Sequence, residues 1–306
     1  MWQPGIRISN PCLLSSVISL TLDLSLKTLK ILSRGCQPDS EQQARSSNHT
    51  TRNMKKISCF RYSSSMVNRL ETQLRKRKDT GKLRALQPLN NGIPLIDFSS
   101  NDYLGLSRSA KLNDIIDEDW KSYKLKQPPG TPHLGSTGSR LLTGNSAAYQ
   151  ETEKYLASFH GHSQCLLANS GWDLNYGLLS CIPCNNTVVF YDELSHNSLI
   201  MGLQSGRGLR NVSFKHNDMN ELRNRLSDLS KHDEESSREK LIVVESIYSM
   251  DGDTCPIIEL LEIAKEFNAM VVVDEAHSTG IVGSRGEGLV SSLNLQSHQN
   301  LLGKLQ

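Results

Sequence analysis

Residues 270–280 read MVVVDEAHSTG, and this segment decides the fold. A methionine and three β-branched valines precede Asp274, a composition typical of a strand that is buried on both faces of a sheet. The aspartate then falls at the carboxyl edge of that sheet, where open α/β sheets bind their ligands. Because an unpaired buried carboxylate is costly, Asp274 indicates a ligand or a polar partner at this edge.

Three further polar segments follow apolar runs or precede helical ones: SGW at 170–172, YDELSH at 191–196 and YSMDGD at 248–253. Gly171 and Trp172 open a predicted helix, so their N–H groups and the helix dipole favour a phosphate group. Glycine at position 171 also lets the backbone approach a ligand closely. Together with Asp274 and, three residues later, His277, these segments suit a heteroaromatic, phosphorylated cofactor.

Strands and helices alternate along the chain. Apolar runs predict strands at 165–168, 187–191, 241–245 and 270–274, and periodic apolar residues predict helices at 66–78, 146–160, 171–182, 217–229 and 257–267. In the second of these helices, Asn145 is the expected N-cap, Gly161 the terminator and Tyr155 one of the buried residues. The alternation predicts a three-layer α/β/α domain over residues 66–306, with a mainly parallel sheet covered on both faces.

Two more segments carry a resemblance to a known family. The sequence FSSNDYLGLS at 98–107 resembles the amino-terminal signature of the α-oxoamine synthases, and GSTGSRLLTGN at 135–145 resembles their glycine-rich loop. These are pyridoxal-phosphate enzymes of aminotransferase class I/II, with the fold called fold type I. Several motifs match in register between about residues 66 and 302. The resemblance implies the large, cofactor-binding domain of such an enzyme, with pyridoxal 5′-phosphate as its cofactor.

The resemblance also implies roles for individual residues at the cofactor. Asp274 would pair with the pyridine nitrogen and His277 would bond to the phenolic oxygen, with Ala276 packed under the ring. His196 would stack on the opposite face and touch the carboxylate of the amino-acid substrate, although a histidine taken alone is more often a surface or core residue. The other implied cofactor contacts are Gly171, Trp172, Glu245 and Ser249.

Substrate and subunit contacts are implied in the amino-terminal half of the match. Arg84, Asn101 and Tyr103 stand at family positions that contact substrate. An exposed charge is an equally good interpretation of Arg84. The loop at 135–145 matches a segment that crosses the interface of a homodimer, but ordinary turns would use the same glycines.

Within the family, the segment GSRLLTG at 138–144 favours the 8-amino-7-oxononanoate synthase branch. This branch implies an acyltransferase of biotin biosynthesis. It condenses L-alanine with a pimeloyl thioester of coenzyme A or an acyl carrier, and CO2 leaves. Sibling activities stay open: glycine C-acetyltransferase, 5-aminolevulinate synthase and serine palmitoyltransferase. A non-catalytic partner subunit is a further alternative.

The Schiff-base lysine of the family has no clear counterpart. The family carries it in a Thr-Phe-Gly-Lys sequence after the position of Leu302. Gly303 and Lys304 echo the Gly-Lys, but leucines stand where Thr and Phe are expected. The sequence therefore predicts that Lys304 is not a working Schiff-base lysine and that no strand follows Leu302. It also predicts that the small carboxyl-terminal domain is missing, and that the chain is truncated and inactive alone.

Residues 1–65 are predicted to form a basic leader. Nine Lys/Arg and three Asp/Glu lie before Met66, which is typical of a transit peptide or an unused upstream extension, so we expect a mitochondrial or cytoplasmic rather than a secreted protein. Charged residues interrupt the apolar stretch at 13–32, and RKRK at 75–78 lacks interleaved aromatics. We therefore expect neither a membrane nor a nucleic acid as partner. Cys181 and Cys184 lack a second ligand pair, so no metal is expected.

Overall fold

The structure, a computed structural model, describes residues 65–84, 98–131, 135–231 and 237–306. These residues fall into two units. One unit contains residues 65–84 and 98–101, and the other contains the described residues from Asp102 onward. Apart from Ser65, the predicted leader lies outside the described residues, so its assignment stays a prediction.

The larger unit is built on a five-stranded sheet. Its strands are β1 (Thr187–Asp192), β2 (Arg210–Phe214), β3 (Glu239–Glu245), β4 (Met270–Asp274) and β5 (Leu301–Leu305). They lie in the order β2-β1-β3-β4-β5, and every neighbouring pair is parallel. The carboxyl ends of all five strands therefore meet at one edge, which we name the carboxyl rim.

Helices precede and connect these strands. The smaller unit contains α1 (Ser65–Asp79), which confirms the helix predicted at 66–78 and buries none of its residues. The larger unit contains α2 (Ala110–Lys126), α3 (Ala147–His160), α4 (Gly171–Cys181), α5 (Asn197–Ser205), α6 (Met219–Ser230), α7 (Ile257–Glu266) and the short α8 (Leu289–Ser292). Among the described residues, no helix combines the length and the apolar character that crossing a bilayer requires.

Two apolar clusters cover the two faces of the sheet. The first packs strand residues against α6 and α7: Val188, Phe190, Ile242, Val244, Val271 and Val273. The second packs strand residues against α4 and α5: Val189, Leu241, Val243, Val272 and Leu305. Successive residues of β4 alternate between the clusters because neighbouring side chains of a strand point to opposite faces. The predicted three-layer α/β/α architecture with a parallel sheet is confirmed.

The ends of α3 differ in part from the prediction. Ser146 caps the amino terminus, since its hydroxyl accepts a hydrogen bond from Tyr149 N–H at 3.4 Å. Asn145 is not the N-cap, because its Oδ1 accepts instead from Arg140 Nε at 3.1 Å. Gly161 ends the helix with φ 72°, as predicted. Tyr155 is 38% exposed, so the prediction of its burial is wrong.

The strand predicted at 165–168 is absent. Leu167 N–H donates to Glu153 Oε1 at 2.8 Å, and Leu167 O accepts from Arg140 Nη1 at 3.3 Å. Arg140 and Glu153 also form a salt bridge of 2.6 Å. The apolar segment is thus held by two charged side chains rather than by a neighbouring strand.

Other boundaries also differ from the predictions. The helix expected from residue 217 begins at Met219, because Asn217 has φ 53° and Asp218 caps the helix. The strand β5 pairs with β4, which corrects the expectation that no strand follows Leu302. The sequence patterns also missed α2, α5 and β2.

Candidate functional site

Three acidic residues end three adjacent strands at the carboxyl rim. Asp192 ends β1, Glu245 ends β3 and Asp274 ends β4. All three are buried, with exposures of 0%, 2% and 5%. Glu245 and Asp274 are register partners, so their side chains leave the sheet on the same face. Carboxyl groups buried at this depth need polar partners, and the neighbouring helices and loops supply them.

The carboxylate of Asp274 is held at both oxygens. Oδ1 accepts from Ala276 N–H at 2.9 Å, and Oδ2 accepts from the side-chain amide of Asn175 at 2.7 Å. Burial raises the pKa of Asp274, while these hydrogen bonds and the nearby imidazoles of His196 and His277 act in the opposite direction. Each oxygen keeps acceptor capacity, so this carboxylate can bind a further cationic N–H donor.

Glu245 lies beside Asp274 and holds two loops. Its Oε1 accepts from the backbone N–H of His196, and the backbone N–H of Ser249 also donates to this carboxylate. Burial raises the pKa of Glu245 to about 7, and the charge of Asp274 adds to that effect, whereas the hydrogen bonds lower it. Glu245 therefore titrates near neutral pH in the folded protein.

His196 stands at the start of α5. Its Nδ1 accepts from Ser198 N–H at 3.3 Å and lies 2.7 Å from Ser198 Oγ. The imidazole meets the indole of Trp172 edge to face, with ring centroids 6.0 Å apart and an interplanar angle of 83°. Both rings are exposed at the rim, where a ligand can reach them.

The amino terminus of α4 faces the same region through Trp172. Ser170 caps this helix by accepting from Asp173 N–H at 3.0 Å. The N–H groups of Gly171 and Trp172 precede the first turn of the helical ladder and have no partner within it. Exposed N–H groups at a helix amino terminus favour an anion.

His277 follows Asp274 by three residues and contacts Tyr103. Its Nδ1 and the Tyr103 hydroxyl are 2.7 Å apart, and the ring centroids are 6.2 Å apart. Ala276, between Asp274 and His277, is exposed. The Tyr103 contact engages Nδ1 of the imidazole, and no other hydrogen bond of this ring occurs among the described residues.

Most of the predicted site residues in the larger unit join this group. The structure brings together Trp172, His196, Glu245 and Asp274, with Ser249 contributing a backbone N–H. Arg84 and Asn101 belong to the smaller unit. In the loop at 135–145, Leu141 is 95% and Leu142 83% exposed, while Arg140 is anchored to Glu153.

Sequence reasoning missed two residues that contact the predicted site residues. Asn175 donates to Asp274 and, at 3.0 Å, to Ser198 Oγ. Asn175 is 4% exposed and Ser198 is 0% exposed. A weak signal existed for Asn175, since it is a polar residue on a helix face that also carries Leu174 and Leu178. The only sequence signal for Ser198 was its position two residues after His196.

A second polar cluster lies farther along the rim. His216 bonds through Nδ1 to Asp192 at 2.9 Å and through Nε2 to Asp253 at 2.7 Å. Burial lowers the pKa of His216, but hydrogen bonds with the two carboxylates and their charges outweigh it and raise the pKa. His216, Asp251 and Asp253 place potential ligand atoms within 4.8 Å of one another. The hydrogen bond between His216 and Asp253 accounts for the proximity of those two side chains.

Lys304 lies on the other face of the sheet from Asp274. Its register partner is Val273, which belongs to the first cluster, whereas Asp274 pairs with Leu305 of the second. The ammonium lies 3.0 Å from Glu275 Oε2, with side-chain exposures of 1% and 0%, and donates to Ser291 Oγ at 2.7 Å. Lys304 is thus committed to a buried ion pair.

Comparisons with known proteins identify the family. The family model described as aminotransferase class I and II matches residues 93–302. The 8-amino-7-oxononanoate synthase of Emericella nidulans is 40% identical over 238 residues, which cover 74% of this chain and 55% of that protein. The aminoacyl transferase sphA of Aspergillus fumigatus is 38% identical over 209 residues, covering 66% and 43%. The chain thus spans about half the length of the curated relatives it matches.

Solved structures agree with this assignment. Serine palmitoyltransferase from Sphingomonas wittichii is 27% identical with a TM-score of 0.61, and the match covers 76% of this chain and 57% of that one. A serine palmitoyltransferase variant from S. paucimobilis, solved with a bound PLP–myriocin aldimine, is 28% identical with a TM-score of 0.60 over the same shares. The chain therefore belongs to the aminotransferase class I and II family and, within it, to the α-oxoamine synthases.

Proposed function

We propose that this chain carries the cofactor-binding part of a pyridoxal-phosphate enzyme that condenses L-alanine with a pimeloyl thioester and releases CO2. The observation that carries the proposal is the buried carboxylate of Asp274 at the rim, with the imidazoles of His196 and His277 nearby. Similarity to 8-amino-7-oxononanoate synthases supports the choice of substrates.

The residues at the rim fit pyridoxal phosphate. A protonated pyridine nitrogen needs a buried anion, and Asp274 offers one with acceptor capacity left. A phosphate needs several N–H donors, and Gly171 and Trp172 present theirs at a helix amino terminus. A Cβ at Gly171 would lie 3.8 Å from the carbonyl oxygen of Gln306, an ordinary contact. The fold itself therefore does not require glycine there, which supports close approach of a ligand as its reason.

When bound, pyridoxal phosphate supplies an electron sink for a reaction at the α-carbon of an amino acid. Asp274 would keep the proton on the pyridine nitrogen, and His277, fixed by Tyr103, would donate to the phenolic oxygen. His196 and Ala276 would enclose the ring, and His196 would orient the carboxylate of the substrate. Glu245 and Ser249 would hold the loops that carry these groups.

Cofactor affinity tests this assignment. Asp274→Asn removes the charge paired with the pyridinium, so we expect pyridoxal phosphate to bind about 10–100 times more weakly, which corresponds to ~1.5–3 kcal/mol for a charge-assisted bond. Asp114→Asn makes the same change at an exposed position of α2 and should leave affinity unchanged. Affinities follow from fluorescence titration. Equal affinities of the two variants would contradict the proposed site.

Substrate choice needs the rest of the enzyme, because the chain spans about half the length of its relatives. Residues 66–302 can be joined to the carboxyl-terminal half of the Emericella nidulans 8-amino-7-oxononanoate synthase. We expect this chimaera to form 8-amino-7-oxononanoate from L-alanine and pimeloyl-CoA. Faster turnover of glycine or L-serine would refute the proposed substrate.

A serine palmitoyltransferase-type activity is the second candidate. The matches to serine palmitoyltransferase structures with TM-scores of 0.60–0.61 favour it. The same chimaera distinguishes the two candidates, since this activity would require L-serine and a long-chain acyl thioester.

A second copy of the chain is the proposed subunit partner. Leu141 and Leu142 are exposed by 95% and 83% in the loop that resembles the family's interface segment. Apolar side chains exposed to this extent favour a protein contact. Leu141→Ser with Leu142→Ser should shift the sedimentation coefficient from that of a dimer to that of a monomer.

A further inference from the structure

A chain of hydrogen bonds joins Asp274 to His196 through two residues that sequence reasoning did not assign. Asn175 Nδ2 is 2.7 Å from Asp274 Oδ2 and 3.0 Å from Ser198 Oγ. Ser198 Oγ in turn is 2.7 Å from His196 Nδ1. The two linking side chains are 4% and 0% exposed, so water does not compete for these bonds.

The direction of each bond follows from the chemistry of the groups. An ionised Asp274 only accepts, so the amide nitrogen of Asn175 must face it. The second N–H of that amide then donates to Ser198 Oγ, which leaves the serine hydroxyl proton for His196 Nδ1. The backbone N–H of Ser198 also points at Nδ1, from 3.3 Å. Two donors face Nδ1, so the proton of a neutral imidazole resides on Nε2.

Close packing of two helices holds this chain in place. Asn175 lies on α4 and Ser198 on α5. At Gly202 of α5, a Cβ would lie 3.0 Å from the backbone oxygen of Asn175 and 3.0 Å from Leu179 Cβ. Contact this tight leaves little freedom for the helices to slide, so the donor and acceptor atoms keep their positions.

We propose that Asn175 and Ser198 are positioning residues of the cofactor site. They fix His196 as the ring protonated on Nε2 and tie its orientation to the carboxylate of Asp274. His196 thereby presents an N–H donor at the exposed rim, which suits an anionic group such as a substrate carboxylate. The identity of that ligand rests on the proposed function, but the bonds within the chain do not.

The tautomer of His196 tests the proposal without any cofactor. In protein labelled with ¹⁵N-histidine, His196 is assigned by the signals that vanish in His196→Gln. Above about pH 8.5, where an ordinary imidazole is neutral, Nδ1 should resonate far downfield, as an unprotonated ring nitrogen does. Ser198→Ala should move this resonance upfield, towards the averaged position of an imidazole that exchanges between its tautomers.

A neighbouring serine provides the matched control. Ser195 is 5% exposed, and its hydroxyl has no hydrogen-bond partner within the described part of the chain. Ser195→Ala removes a buried hydroxyl next to His196 and should leave the Nδ1 resonance in place. An unmoved resonance in Ser198→Ala, or an equal movement in both variants, would overturn the proposal.

Asn175 is tested by the pH dependence of cofactor binding. Asn175→Leu removes a donor that lowers the pKa of Asp274, so the carboxyl should ionise at higher pH. The pH at which half of the pyridoxal phosphate affinity is lost should therefore move upward, while Ser195→Ala leaves it unchanged. An unchanged or lower midpoint in Asn175→Leu would contradict the role of Asn175. Failure of the unchanged protein to bind pyridoxal phosphate would refute the proposed function but not the tautomer, which is measured separately.

Discussion

At the scale of single residues, two carboxyl groups lie side by side on adjacent strands at the carboxyl rim, and both are buried. Glu245 and Asp274 face the same side of adjacent strands, and the charge of Asp274 disfavours ionisation of Glu245. Glu245 has the pKa of about 7, so it changes charge within the physiological range. The protein thus maintains at this edge a group whose ionisation opposes folding.

This arrangement predicts a pH-dependent stability. The ordinary pKa of Glu245 is 4.5, so between about pH 4.5 and 7 the folded chain binds more protons than the unfolded chain. The contribution of protonated Glu245 is fully present below pH 4.5 and is lost as the pH rises to 7. Glu245→Gln should therefore be more stable than the parent at pH 8, by roughly 3 kcal/mol at most, and about equal at pH 4.5.

Urea unfolding of both proteins across this pH range measures the effect. Glu259→Gln, at an exposed carboxyl of α7, serves as the control and should not change the slope of stability against pH. Parallel curves for the parent and Glu245→Gln would contradict the assignment.

Sequence patterns could locate site residues that lie close together in the chain, but not those whose partners are far away in the sequence. Asp274 and His277 lie three residues apart behind a buried strand, so their pattern is local. Asn175 acts on Asp274 from 99 residues away, and its position in the sequence gives no indication of that partner. Contacts of this kind become visible only when the helix has been placed against the sheet.

At the scale of elements, the burial of each strand explains which ones could be predicted. β1, β3 and β4 lie inside the sheet, and their residues are almost all buried, so they read as continuous apolar runs. β2 and β5 lie at the edges, and only the last residue of each, Phe214 and Leu305, is buried. A run such as residues 165–168 has the composition of a strand, but Arg140 and Glu153 occupy its backbone groups.

Two glycines in helical context should respond oppositely to alanine. Gly161 ends α3 with φ 72°, and a Cβ there would lie 3.0 Å from Gln296 Cγ, so Gly161→Ala should cost about 1–2 kcal/mol. Gly177 lies inside α4 with nothing within 4 Å of an added Cβ. Gly177→Ala should stabilise the protein by about 0.5–1 kcal/mol, because alanine loses less backbone freedom on folding. Thermal unfolding compares the two, and the same sign for both would contradict the helix assignments.

At the scale of the whole molecule, a buried ion pair fastens the edge strand. Lys304 of β5 meets Glu275, which directly follows β4, and Glu275 Oε1 also accepts from Val290 N–H at 2.9 Å. One charged pair therefore links the last strand, the loop after β4 and α8. Removal of one partner would leave the other charge buried without compensation.

Lys304→Met should consequently destabilise the protein by about 3–5 kcal/mol, a large part of the stability of an ordinary domain. The double variant Lys304→Met with Glu275→Gln leaves no buried charge and keeps an acceptor for Val290 N–H, so it should recover much of the loss. Denaturant midpoints of the parent, the single variant and the double variant decide this. A double variant no more stable than Lys304→Met would show that lost packing, rather than unpaired charge, sets the cost.

The parallel sheet also determines when a binding-competent rim can exist during folding. Every strand connection returns from the carboxyl rim to the opposite end of the sheet, where the next strand begins. Neighbouring rim residues therefore come from distant parts of the chain, and closing such loops is slow. The first turns of helices such as α6 and α7 can form transiently within microseconds, before the sheet is complete. A short peptide from this chain would not contain the rim residues of several strands. Ligand binding at the rim therefore requires that the slowest step of sheet assembly is complete. A ligand that recognises the rim would therefore select chains that have completed the sheet from those that are merely helical.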